Sequence, residues 1–163
     1  MSFFPAKKIP PYALWVGSVQ DSRNVGAAKR HGITLVVNCT RNVPFSIPGV
    51  QRVRVAVDDD PTDAEDMALH LPRAVAAIED HLARGGAVLV HCHAGISRSA
   101  SVAAAYVMYK EGLGPRQAMA RVRAAKPETF GPHPNFATAL EAFGRITSRT
   151  PGTPASTRPG SAA

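Results

Sequence analysis

Cysteine is scarce in this chain: two residues in 163, Cys39 and Cys92. That excludes a disulfide-stapled scaffold and any zinc site made of four thiolates. The six histidines show no zinc-ligand spacing. His91-Cys92-His93 has no second cluster to complete a tetrahedral site, so no metal is expected. Aromatic residues make up only 6%, with a single tryptophan, and no basic run is interleaved with them. Nucleic acid is therefore not expected as the partner. No apolar stretch approaches the roughly 20 residues of a membrane span. The opening residues, Met-Ser-Phe-Phe-Pro-Ala-Lys-Lys, lack the apolar region of a signal peptide. No membrane association is expected, and two reduced thiols fit the cytoplasm or the nucleus. Acidic residues are few as well: 12 against 19 Lys and Arg, for a net charge of +7. Six of those 12 lie between Asp58 and Asp66, so the rest of the surface is more basic than the total suggests. A positive field of that kind draws in an anionic substrate.

What is present is enough for one domain with a proper core: 163 residues, 45% of them hydrophobic. Residues 1–8 read as an arm, 9–146 as the domain, and 147–163, rich in Ser, Thr, Pro, Gly and Ala, as a disordered tail. Within the domain, residues 12–18 read as a strand closing in a turn. Residues 21–31 read as a helix stopped by Gly32, and 33–39 as a β-branched buried strand. Residues 51–57 alternate strictly and predict a half-buried strand. An acidic loop follows. Residues 67–84 carry Leu71, Ala74, Val75, Ile78 and Leu82 at helical spacing, with Pro72 disturbing the first turns. A strand at 87–90 and helices at 99–110, 114–125 and 134–146 complete the pattern. Strands alternating with helices predict an α/β fold, a mostly parallel sheet flanked by helices, with its site at the carboxyl ends of the strands.

The richest segment is 87–99, Ala-Val-Leu-Val-His-Cys-His-Ala-Gly-Ile-Ser-Arg-Ser. It reads as a strand, a tight loop and the start of a helix. Such a loop gathers backbone N–H groups over a helix N-terminus, which binds anions and lowers the pKa of a thiol. Cys92 is the candidate nucleophile. Arg98, with its planar fork, can hold two oxygens of a tetrahedral oxyanion. Gly95 supplies backbone freedom. The chemistry this suits is attack of sulfur on a phosphate monoester. Departure of the alcohol then needs a proton, and hydrolysis of the sulfur–phosphorus bond needs an activated water; one carboxyl can serve both in turn.

The segment resembles the His-Cys-x5-Arg-Ser/Thr signature of cysteine-dependent protein tyrosine phosphatases, and His93-Ala94-Gly95-Ile96-Ser97 resembles its dual-specificity branch. Residues 14–18 and 36–40 are similar to that family's first two strands, and His133-Pro134-Asn135-Phe136 to the start of its last helix. The likeness covers residues 9–145 and is closest to the small atypical members. It implies the protein tyrosine phosphatase fold, a phosphoprotein substrate, hydrolysis of phosphotyrosine and phosphoserine or phosphothreonine, a phosphocysteine intermediate and no cofactor. It also implies roles. Residues 93–98 would cradle the phosphate, Ser99 would hydrogen-bond the thiolate, and His91 would orient the loop. The family's acid is an aspartate after the strand at 53–57. Its apolar-x-apolar-x-Asp pattern selects Asp59, but the loop runs longer than is usual, so Asp60 and Asp58 stay open.

Bland readings stand beside several of these. Ser99 could cap the helix, and His93 could be a plain surface histidine. Asn38 could brace the signature loop or merely end a strand. Cys39 reads as a core thiol, because the partner cysteine of the redox-protected relatives falls at the position of Thr40 and adjacent strand residues face opposite ways. Lys126, His133 and Asn135 could line a substrate groove, or cap and solvate. Two other activities compete: a phosphoinositide or RNA 5′-phosphatase, disfavoured by the absence of lysine from the loop, and a phosphopeptide-binding pseudophosphatase, disfavoured by the presence of both Cys92 and Arg98.

Overall fold

The structure is a computed structural model and describes residues 4–149. Its strands are β1 Lys7–Lys8, β2 Leu14–Gly17, β3 Ile33–Asn38, β4 Gln51–Arg54 and β5 Ala87–His91. The helices are α1 Val25–Arg30, α2 Ala64–Ala83, α3 Arg98–Glu111, α4 Pro115–Ala125 and α5 Ala137–Arg149. The sheet order is β1-β2-β5-β3-β4, parallel except for the antiparallel edge pair β1 and β2.

Alternation along the strands splits the apolar side chains between two layers. Leu14, Val16, Leu35, Val37, Val88 and Val90 face the main core, together with the buried sides of α2 to α5. Trp15, Val36, Ala87 and Leu89 face a smaller cluster closed by Phe4, Ala28, Phe45 and Ile47. β5 is buried over its whole length, as expected of a central parallel strand covered on both faces. Cys92, directly after β5, continues the face of Val88 and Val90, so it emerges at the carboxyl end of the sheet on the helix side.

Several element boundaries differ from the sequence reading. The helix expected over 21–31 is divided: Asp21–Arg23 is a 3-10 turn, and the Asn24 side chain accepts from Ala27 N–H at 3.0 Å to start α1 afresh. β4 ends at Arg54 rather than at Val57. The chain peels away there because Val57 N–H bonds to Val55 O at 3.0 Å instead of to β3, although both valines are fully buried. α2 begins at Ala64 and runs through Pro72, which lies on its exposed side, while Met67, Leu71, Ala74, Val75 and Ile78 anchor the other. α5 starts only at Ala137 and continues to Arg149, so residues 147–149, read as tail, form its last turn. The rest of the expected tail, 150–163, lies outside the described residues. Of the expected arm, Lys7 and Lys8 pair with Val16 and Trp15 as an edge strand, and the Phe4 ring lies 5.5 Å from that of Trp15.

Candidate active site

The loop between β5 and α3 runs from Cys92 to Arg98, and three backbone hydrogen bonds to it, with a fourth to His91 just before it, pin it to the surrounding structure. Cys92 N–H donates to Gly17 O at 3.4 Å and Val19 N–H to His93 O at 3.0 Å. Cys39 N–H donates to His91 O at 2.8 Å and Phe130 N–H to Ile96 O at 3.0 Å. Gly95 has φ +75°, and a Cβ there would stand 2.8 Å from both the carbonyl carbon and the oxygen of Gly17. No L side chain fits that conformation against that neighbour. The end of β2 is held in turn by Asp21, a buried carboxylate that accepts from Ser18 N–H at 2.8 Å. Nothing in the local pattern singled out Asp21 or Phe130 for this buttress. They act only because the fold brings them beside the loop.

Inside the loop the Cys92 sulfur is buried and receives Gly95 N–H at 3.2 Å, with Ser99 Oγ also at 3.2 Å. Burial works against ionisation of this thiol, but the hydroxyl and N–H of Ser99, the Gly95 N–H and the Arg98 charge outweigh it and hold the pKa below its ordinary value. Ser99 makes this contact from within α3 and does not cap it; the helix is entered at Ser97, which makes no side-chain cap. Arg98 donates from Nη1 to Val57 O at 3.0 Å, while its buried Nε has no partner among the described residues. A guanidinium fixed on one side with a donor left over on the other is prepared to grip an oxyanion.

His91 is fully buried beneath the loop, with Nδ1 3.2 Å from Cys92 O. Burial pushes its pKa down to about 4, with help from the charges of Arg54 and Arg98, against the opposing hydrogen bond to Cys92 O. It is therefore neutral near pH 7. His93 and Ala94 are exposed at the mouth, as is Ile96, and Ser97 is half-buried.

The three candidate aspartates separate clearly. Asp60 caps the 3-10 turn Pro61–Asp63, accepting from Thr62 N–H at 2.8 Å and Thr62 Oγ1 at 2.7 Å, and these bonds lower its pKa. Asp58 pairs with Arg41 at 3.3 Å. The Asp59 carboxylate instead receives Asn135 Nδ2 at 2.8 Å, which brings the start of the last helix over the acidic loop. Lys126 is not on a solvated face: it is buried and pairs with Glu128 at 2.7 Å. Asn38 braces the turn after its own strand rather than the signature loop. Its Nδ2 donates to Val43 O at 2.8 Å, and its Oδ1 accepts from Thr40. Cys39 is a buried free thiol, as read, but it shares the face of Leu35 and Val37 and the core cluster of Cys92. Burial and then the neighbouring Cys92 push its pKa up. Position 39, not 40, is the one turned toward the nucleophile's side of the sheet. Among the described residues no group of three or more His, Cys, Asp or Glu could hold a metal ion, and no helix is long and apolar enough to cross a membrane.

The family model of the dual specificity phosphatase catalytic domain matches residues 14–146. The chain belongs to the dual specificity phosphatase family. It is 39% identical over 140 residues to human dual specificity phosphatase 28, a match that covers 85% of this chain and 77% of that protein. The crystal structure of human dual specificity phosphatase 28 aligns with a TM-score of 0.79 at 38% identity, over 87% of this chain and 94% of that one. A mouse dual specificity phosphatase crystallised with zinc tungstate aligns at 0.81 with 36% identity, over 90% and 91% of the two chains. The small atypical type expected from the compact extent of the resemblance is thereby established, as is the protein tyrosine phosphatase-like fold. The chain is accordingly a dual specificity protein phosphatase, with phosphorylated proteins as its class of substrate.

Proposed function

We propose the following division of labour for hydrolysis of phosphotyrosine and phosphoserine or phosphothreonine on proteins. The Cys92 thiolate attacks phosphorus. Arg98, through Nε and its free edge, and the backbone N–H groups of residues 93–98 hold the non-bridging oxygens as charge moves onto them. Asp59 gives its proton to the departing alcohol or phenol. The phosphocysteine is then attacked by water, whose proton returns to Asp59, and the thiolate leaves toward the Ser99 hydroxyl. His91, neutral and buried, orients the loop through Cys92 O and takes no proton. The choice of Asp59 rests on the other tasks of its neighbours: Asp58 and Asp60 are occupied in holding the loop, and only Asp59 is presented by Asn135.

The observation that carries this reading is the pairing of a buried sulfur under two donors with a buried guanidinium nitrogen in the same loop that has no partner among the described residues. Cys92→Ser tests it. Turnover of an aryl phosphate should vanish while tungstate or vanadate still binds, because the cradle and Arg98 remain. Substantial turnover by that variant would sink the mechanism. Reduced thiols at both cysteines make a cytoplasmic or nuclear setting the natural one.

A further inference from the structure

The Asp59 carboxyl can work only if the exposed loop that carries it keeps its shape, and one cation outside the catalytic pocket ties that loop down. We infer that Arg41 is a positioning residue, whose guanidinium clasps Asp58 and Asp63 around Asp59 and so fixes the acid for proton transfer. This rests on the reading of Asp59 as the acid.

Arg41 follows β3 and reaches across to the loop before α2. Its Nη2 lies 2.9 Å from Asp63 Oδ2, its Nε 3.3 Å from Asp58 Oδ2, and its Nη2 3.9 Å from Asp66. Asp63 Oδ2 also accepts the Asp58 N–H at 2.7 Å. One carboxylate oxygen thus binds both the clasping arginine and the backbone directly before Asp59. On the other side, Asp60 is locked by its two bonds from Thr62. Both neighbours of Asp59 are therefore fixed by charged or capping contacts, while its own carboxylate takes only the neutral Asn135 amide among the described side chains.

The base of the clasp is rigid. Arg54 donates to Thr40 O at 2.8 Å and to Val43 O at 2.9 Å, and Asn38 donates to Val43 O at 2.8 Å, so the turn from which Arg41 springs is held on both sides. Without Arg41, the carboxylates of Asp58, Asp63 and Asp66 lose the one guanidinium they share, and their mutual repulsion opens the loop. Partly exposed pairs of this kind add little to stability, so the effect of losing Arg41 falls on geometry. A misplaced catalytic group costs rate steeply with distance.

The test compares kcat and KM on a phosphothreonine peptide and on an activated aryl phosphate for Arg41→Ala and Arg41→Lys. Both are made in the wild-type and in the Asp59→Asn background, with melting temperatures recorded. The peptide needs the acid; the activated ester scarcely does. Arg41→Ala is expected to lower kcat on the peptide by about 5- to 100-fold, with KM, the aryl ester rate and the melting temperature nearly unchanged. Arg41→Lys, which can serve one carboxylate at a time, should restore part of the loss. In the Asp59→Asn background Arg41→Ala should have no further effect. Equal losses on both esters, or a loss that persists in full without Asp59, would overturn the positioning role. If Asp59→Asn itself shows no preference between the esters, the acid assignment fails and the Arg41 role falls with it. If Asp59→Asn discriminates and Arg41→Ala does not, Arg41 alone is wrong.

Discussion

Ser99→Ala removes one donor from the nucleophile and nothing else of consequence. The hydroxyl lies 3.2 Å from the Cys92 sulfur, and both residues are buried. Against a thiolate only the hydroxyl can donate, so the bond exists for the charged form and weakens when sulfur is protonated. A hydrogen bond to a charged group contributes about 1.5–3 kcal/mol, and one pKa unit corresponds to about 1.4 kcal/mol. Losing it should therefore destabilise the thiolate by about that free energy and raise the Cys92 pKa. The backbone N–H groups of Gly95 and Ser99 and the Arg98 charge stay, so the thiol remains partly activated. The pH dependence of inactivation by iodoacetamide reads the thiolate directly. Its midpoint should move upward in Ser99→Ala. Phosphocysteine should also accumulate, since the same bond stabilises the sulfur as it departs, and a burst followed by slow turnover should appear with an aryl phosphate. An unmoved alkylation midpoint would refute the account of how this thiol is ionised.

Asp59→Asn should cost roughly 10²–10⁴-fold on phosphothreonine, far less on an activated aryl ester, and should remove the alkaline limb of the pH–rate profile; Asp60→Asn should show no such dependence on leaving group, and steady-state assays with both esters decide. Gly95→Ala should abolish turnover and oxyanion binding together, because both the positive φ and the 2.8 Å approach to Gly17 are denied; retention of vanadate inhibition would contradict this. His91 adds a pH signature to stability. Its folded pKa of about 4 lies below the ordinary value of 6.5, so the unfolded chain takes up a proton that the folded one refuses. That stabilisation, on the order of 3 kcal/mol, is complete above pH 6.5 and is lost as pH falls toward 4. Urea unfolding across this range should show His91→Gln with a shallower decline than wild type, and parallel curves would disprove it.

The chemistry was legible in the sequence because it is concentrated in one short segment, where strand, loop and helix follow without a break. Cys92, Gly95, Arg98 and Ser99 could be read together there, and their contacts in the fold are local ones. The parallel sheet was legible through alternation and β-branching. What escaped was set by partners distant in sequence. Asp21 supports the loop through β2, Phe130 through a turn after α4, and Asn135 reaches Asp59 across 76 positions. The end of β4 was misplaced because Val57 is buried although its N–H bonds back to Val55 O rather than to β3, and periodicity registers burial, not hydrogen bonding. The bracing task of Asn38 and the facing of Cys39 turned on strand register, which one-residue shifts invert.

The hydrogen bond from Arg98 Nη1 to Val57 O joins two things that a mechanism would treat separately. One guanidinium serves the anion and also the root of the acidic loop, so the two equilibria are thermodynamically linked. Whatever free energy an oxyanion gains from finding Arg98 already aligned, the loop must gain from the oxyanion, by the same factor. A bound phosphate analogue should then slow amide hydrogen exchange at residues 57–63, which need not touch it. Conversely, a partner that grips the acidic loop from outside would tighten or loosen the grasp on phosphate without entering the pocket.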